Sequence, residues 1–379
     1  MPGKLRRRGK KGAGLARETK DSSALPLIEA ACVAAEVPRA LGLARDLEGA
    51  GFFDATIVGQ WSLAHDFLTQ RVSEAADGLD CALRMSKSPE ARLRFFVPGI
   101  LVRILHGQTS LILEHLRPLA GDSAMQVSEA VQAFGVRPQA EILGPKIFDE
   151  LLDWAQDEHP WVRRTAVEAV RPQGVWVKHL RWAVESPAYL LPLLDALRFD
   201  DNRYVANAVG NCLNDISKKN PELVYEVIAR WQEEEGGPYL DRMIAKGLRT
   251  RVKSGDPRAF LALGMGNADV DATVTLESGK VARPNRALEF ALALKTPGGK
   301  ALMALVYEIE TPGKSLSRPR KKRYHGGKIQ IPKNAKTVFR IKERLFDSAA
   351  TPLIDGDCVA RFFLNGKQVA SVKFTLKRR

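Results

Sequence analysis

From about residue 24 the apolar positions recur at the three- and four-residue spacing of amphipathic helices, and this pattern, dense in Ala, Leu and Val, runs to about residue 266. After Gly264-Met265-Gly266-Asn267 the pattern shifts to alternation, as over 270–276 and 288–292, and further strands are expected over 301–309, 336–342, 358–364 and 369–376. Asn365-Gly366, between the last two runs, is a strong hairpin-turn pair. The chain therefore reads as mainly α: a helical domain over residues 24–266, followed by a smaller all-β domain over 267–379. About seven short strands in so short a stretch suggest an immunoglobulin-like sandwich. Residues 1–23 open with Met1-Pro2-Gly3-Lys4-Leu5-Arg6-Arg7-Arg8-Gly9-Lys10-Lys11-Gly12, which buries almost nothing and repels itself, so they read as a disordered basic tail.

The helical stretch contains a repeat. Residues 148–170 overlie 191–213 at a shift of 43, with Leu151 on Leu194, Trp154 on Leu197, Asp157 on Asp200, Trp161 on Tyr204, Val162 on Val205 and Glu168 on Asn211. A weaker copy over 126–134 precedes 161–169 by 35 residues, and 239–248 forms a further copy. These spacings suit HEAT-like helical repeats. Helix pairs of that kind stack into a solenoid whose equivalent positions line one groove, so Ala133, Glu168, Asn211 and Lys246 are expected in a row.

Charge narrows the class of partner. The chain of 379 residues carries a net +14, and its hydrophobic and charged fractions of 45% and 27% are those of an ordinary globular protein. The excess is concentrated at the two ends: residues 1–20 hold 8 Lys/Arg against one Glu, and residues 268–379 hold 23 against 10 Asp/Glu. Two basic arms around a mildly acidic body point to a polyanion such as nucleic acid. Cys32, Cys81, Cys212 and Cys358 are scattered without paired spacing, as expected of reduced thiols. The six histidines show no ligand spacing and no glycine-rich phosphate loop is present, so neither metal nor nucleotide cofactor is expected. No apolar run approaches the roughly 18 residues of a membrane span and no secretory signal opens the chain, so a cytoplasmic, nucleoid-associated monomer is expected.

Three blocks carry a family resemblance: Trp161-Val162-Arg163-Arg164-Thr165-Ala166-Val167-Glu168-Ala169-Val170-Arg171-Pro172 with Trp176 close behind; Asn211-Cys212-Leu213-Asn214-Asp215-Ile216-Ser217-Lys218 with Pro221-Glu222-Leu223-Val224; and 245–264, including Lys253-Ser254-Gly255-Asp256-Pro257. Over roughly residues 110–379 the chain resembles the AlkC branch of the AlkC/AlkD DNA alkylation-repair glycosylases, some of which carry an immunoglobulin-like domain. The resemblance implies hydrolysis of the N-glycosidic bond of bases such as 3-methyladenine or 3-methylcytosine in double-stranded DNA, the first step of base excision repair. A cationic base leaves readily, so the protein mainly has to stabilise an oxocarbenium-like sugar and position water.

By residue-by-residue matching, the resemblance places Asp215 as the main electrostatic partner of the sugar, Glu168 as its helper, and Trp176 against the deoxyribose. Arg163 and Arg164 on the groove rim, together with Arg137, Arg171 and Lys218, are candidate phosphate contacts. Arg318, Arg320, Lys321, Lys322 and Arg323 form a basic run expected in an exposed loop between strands. The bland readings are an Asp215 that caps a helix end and a Glu168 that pairs with Arg164 at i, i+4. One departure from the family pattern stands out: Ala133 occupies a place where the family has Glu, with Glu129 one turn earlier. It motivates a second reading, a DNA-structure or damage binder without catalysis. A peptide-binding scaffold is the third.

Overall fold

The computed structural model describes residues 24–378 except 175–176, 235, 267–268, 298–300, 314–317, 334 and 349–351. The basic tail and Trp176 therefore lie outside the described residues. Two compact units result, one running through the helices to Val224 with Arg230–Gly247, the other comprising Tyr225–Ala229 and Leu248–Arg379.

The repeat read from the sequence appears in the first unit as the helix pairs Phe148–Trp154 with Pro160–Val170 and Leu191–Ala196 with Arg203–Ser217. Superposed positions share an environment: Leu151 and Leu194 are both fully buried, as are Trp154 and Leu197 nearly so, and Trp161 stacks on Tyr204 with centroids 5.3 Å apart. Local chemistry starts the second helices. Pro160 supplies a preset φ and no surplus donor at the first turn, and the Asn202 side chain accepts from the Tyr204 amide at 2.8 Å.

A ladder of aspartates joins successive pairs. Asp122, Asp157 and Asp200, spaced by the same 35 and 43 residues as the repeat, each accept a backbone N–H two residues on, at 2.8 Å, from Ala124, His159 and Asn202. Each also takes the Nε–H of an arginine from the preceding pair: Arg94 at 2.7 Å, Arg117 at 2.7 Å and Arg163 at 2.6 Å. Partial burial alone would raise the Asp122 and Asp157 carboxyls, but these donors hold both below the ordinary 3.8.

The middle of the unit holds one irregular helix. Met125–Ala130 runs into a π-helical turn, Val131–Val136, and resumes as Arg137–Leu143. Pro138 has no N–H to give the carbonyl four residues back, and a wide turn accommodates that loss. Gly135 is needed here because a Cβ would stand 2.7 Å from Leu116.

In the second unit, β1 (Asp271–Leu276), β3 (Ala287–Lys295) and β6 (Thr337–Arg344) form a sheet in the order β1-β3-β6. The strands β2 (Val281–Ala282), β4 (Ala301–Thr311), β5 (Arg320–Ile331), β7 (Gly356–Leu364) and β8 (Lys367–Leu376) form a second, ordered β2-β8-β7-β4-β5. Phe290, Leu292 and Ile341 from the first sheet share one core with Tyr307, Phe362 and Phe374 from the second. The Asn365-Gly366 turn has positive φ at both residues, 46° and 82°, as a tight hairpin demands. The helices Arg249–Ser254 and Pro257–Ala262 cluster with these sheets rather than with the repeats.

One expectation is corrected here. The basic run is not a loop: from Arg320 on it is the start of β5, an edge strand of the larger sheet. Arg320, Lys321 and Lys322 are exposed there, as is Arg318 just before it, whereas Arg323 is half-buried and donates to Glu308 at 2.8 Å. Charged edges of this kind discourage pairing with another sheet.

Candidate functional site

The helix Pro160–Val170 stops where Pro172 forces the residue before it out of helical conformation, and Arg171 is extended, with ψ at 140°. That turn sends the Arg171 side chain back between the two helices. Its Nη1 donates to Glu168 Oε2 at 2.6 Å, while Nε and Nη2 both donate to Asp215 Oδ2, at 3.0 and 2.7 Å. Asp215 Oδ1 accepts from Lys218 Nζ at 3.0 Å, and Lys218 also donates to the Gln173 side chain. Glu168 Oε1 accepts from Asn211 Nδ2 at 3.4 Å. Two carboxylates therefore share one buried guanidinium. Burial works against the charge on Arg171, yet Glu168 and Asp215 hold it above the ordinary arginine range, so the cation is permanent.

Beneath this network Arg137 is 2% exposed. It donates to the carbonyls of Ala169 and Arg171 at 3.0 Å and to that of Lys178 at 2.8 and 3.1 Å. These include carbonyls at the end of the helix that carries Glu168, so Arg137 closes that helix end and fixes the backbone on which the site is built. Burial lowers its pKa without removing its charge.

Glu168 and Arg171 face a cavity of about 80 Å³ shared with Glu129, Ala133 and Arg164. The predicted row is thus present in part: Ala133 and Glu168 share one wall, and Asn211 touches Glu168. Arg164 lies over the Trp161 ring at 5.2 Å and approaches Glu129 at 3.9 Å, and its buried Nη1 has no hydrogen-bond partner among the described residues.

Several expected placements change. Asp215 does not look into open space: its side chain is 2% exposed and both oxygens are occupied by cations. Glu168 pairs with Arg171 three residues on, not with Arg164. Neither Arg137 nor Arg171 lies on a rim, because their guanidinium groups are consumed inside the fold. Arg163 is spoken for by Asp200 and by the carbonyls of Asp157 and Glu158. Lys218, at 32% side-chain exposure, is the member of the network that meets solvent. The sequence reading missed Arg171 as the bridging residue; its position just before Pro172 was the available signal.

Comparison with known proteins agrees with the sequence pattern. Residues 126–244 match the family model described as DNA alkylation repair enzyme. A Bacillus subtilis relative, the uncharacterized protein YhaZ, is 37% identical over 136 residues, covering 36% of this chain and 38% of its own length. The chain thus spans well under half of that relative. Among solved structures, Pseudomonas fluorescens alkylpurine DNA glycosylase AlkC, bound to DNA containing an abasic site analog, superposes with a TM-score of 0.81 at 20% identity, covering 94% of this chain and 98% of AlkC. That is a likeness of fold across both units. Residues 126–244 are thus similar to the DNA alkylation repair enzyme family, in line with the AlkC/AlkD-type pattern that the sequence carries.

Proposed function

We propose that this protein is a monofunctional DNA glycosylase that hydrolyses the N-glycosidic bond of N-alkylated bases, of the 3-methyladenine or 3-methylcytosine type, in duplex DNA. The observation that carries the reading is the pair of carboxylates, Glu168 and Asp215, bound to one buried guanidinium beside a cavity with room for a few waters. Glu168, on the cavity wall, stabilises the developing sugar cation and orients water. Asp215 contributes through Lys218: a phosphate that engages the exposed ammonium draws it off Oδ1 and turns that oxygen toward the strand. Trp176, in the segment just after Arg171-Pro172, packs against the deoxyribose in this reading. Arg164 and the exposed Arg318, Arg320, Lys321 and Lys322 bind phosphates.

The wider picture is of HEAT-like helix pairs that cradle DNA and an immunoglobulin-like β domain that also binds it, in a cytoplasmic monomer associated with the nucleoid. The test is base release from a duplex bearing 3-methyladenine. Wild type is expected to release the base, with Glu168→Gln and Asp215→Asn slower by about 100-fold, the scale of losing one electrostatic group in a preorganised site. Release unchanged in both variants would falsify the assignment.

A second reading is favoured by Ala133 and by the occupied oxygens of Asp215: a damage binder that releases no base. It predicts salt-dependent duplex binding without hydrolysis, and hydrolysis appearing only in Ala133→Glu.

A further inference from the structure

The cavity of about 80 Å³ carries a second carboxylate besides that of Glu168, namely Glu129. It sits on the helix Met125–Ala130, just before the π turn Val131–Val136, and Ala133 adds only a methyl group to the same lining. A buried polar trio sets the place of Glu129 against Glu168. Gln132 Nε2 donates to Ser128 Oγ at 3.4 Å and to Thr165 Oγ1 at 3.3 Å, and the two hydroxyls are themselves 3.3 Å apart. Ser128 is the neighbour of Glu129 in the chain and Thr165 stands three residues before Glu168, so the trio ties together the two helices that bring carboxylates to the cavity. The acids at this point differ in how far their charge is cancelled. Glu168 and Asp215 carry two negative charges against the two positive charges of Arg171 and Lys218, and a donor reaches both oxygens of each. Glu129 is more open, at 39% side-chain exposure against 10% for Glu168, and its ion pair among the described residues is with Arg164 at 3.9 Å, beyond hydrogen-bond reach.

We infer that Glu129 is a further catalytic carboxylate: it faces the sugar of the reacting nucleotide, supplies the uncompensated negative charge that a sugar cation needs, and accepts the proton of the attacking water. The inference rests on the glycosylase reading and deepens it, since it names where the proton goes. Charge decides among the acids. A carboxylate whose oxygens already accept from cations has little field left for a new positive charge, whereas one without a bonded cation keeps it. Arg164, held over the Trp161 ring, sharpens the difference, because a phosphate that engages its guanidinium draws the nearby counter-charge away from Glu129. The cavity has room for the water itself. As the bond between C1′ and the base nitrogen breaks, its electron pair leaves with the base and cancels the positive charge of the alkylated ring. The water oxygen bonds to C1′ and one of its protons passes to Glu129, so the products are a neutral base, an abasic sugar and a protonated carboxyl group. Glu168, clasped by Arg171, orients that water.

The test uses the full chain and two duplexes, one holding a pyrrolidine abasic analogue with a positive charge at the anomeric position, the other its neutral tetrahydrofuran counterpart. Fluorescence anisotropy gives both affinities. Wild type is expected to bind the cationic duplex about ten-fold more tightly, and Glu129→Gln to bind the two alike. The double variant Glu129→Gln, Ala133→Glu, which returns a carboxylate to the same cavity, is expected to regain the preference, as no merely structural role of Glu129 would allow. Base release from a duplex bearing 3-methyladenine is expected to slow by about 100-fold in Glu129→Gln. Thermal melts check folding, and Glu129→Ala replaces Glu129→Gln if that variant does not fold. A wild type indifferent to the charge of the probe, or a Glu129→Gln that keeps the preference, overturns the inference whatever release shows. Preference lost without rescue, together with a lowered melting temperature, makes the role structural and overturns it too. Preference that depends on Glu129, without release by wild type, sinks the enzyme reading and leaves Glu129 as the group facing the sugar. Release by wild type that is equally fast in Glu129→Gln sinks the inference alone.

Discussion

The two units use basic residues in opposite ways. In the helical unit one set of arginines is turned to the fold's own acceptors: Arg94, Arg117 and Arg163 onto the aspartate ladder, Arg137 onto helix-end carbonyls, and Arg171 onto paired carboxylates. On edge strand β5, by contrast, Arg320, Lys321 and Lys322 stand in solvent, and only part of their charge is met by β4, as where Lys321 comes 3.6 Å from Glu310. A cation count along the sequence treats these groups alike. Burial separates them: the first set holds the fold together, and the second is available to a partner.

Four experiments would break or sharpen that contrast. The largest effect is expected for Arg171→Ala, which strands two carboxylates in a buried setting and should cost about 3–5 kcal/mol in denaturant unfolding. A cost under 1 kcal/mol would mean that the network is not structural. Next, Asp157→Ala removes one rung and one turn cap and should cost about 1–3 kcal/mol by the same measurement. Third, pH acts on the rungs. The Asp122 and Asp157 carboxyls are depressed in the folded state, so their contribution is fully present above the ordinary 3.8 and fades as pH falls through the lower folded values. Asp157→Asn should flatten acid unfolding of wild type over that window, and an unchanged profile would assign the acid sensitivity elsewhere. The smallest stability change, within about 0.5 kcal/mol, is expected for the triple variant Arg320→Ala, Lys321→Ala, Lys322→Ala. The same protein should show a shallower salt dependence of duplex binding, by a slope of about 2 to 3 for three phosphates, while an unchanged slope would remove β5 from the interface.

Much of the fold was legible because apolar periodicity is written in every turn. Six of the strands coincide with runs read from the sequence: β3 and β7 bury every second residue, whereas β4 buries nearly all of its residues. Strand β5 was missed because its outward residues are Lys, Arg and His, Gly326-Gly327 interrupts it, and its pairing with β4 slips between Leu305 and Val306. The site was legible only as residue types. Glu168 and Asp215 do come together, but only the place of Arg171 just before Pro172 hints that it lies between them, because that contact joins residues 44 apart through the backbone bend there. Nor does the helical spacing of apolar residues over 57–138 reveal that Trp61, Phe95 and Phe134 line a hollow instead of filling it.

The guanidinium of Arg171 has a consequence for anyone who tries to re-engineer this protein. It clasps one helix pair to the next with the same three N–H groups that aim Glu168 and Asp215. Substitutions that rewrite those acids also loosen the joint. Changes that spare the clasp are those at neighbours that make no bond to it, such as Ala133 on the same small cavity.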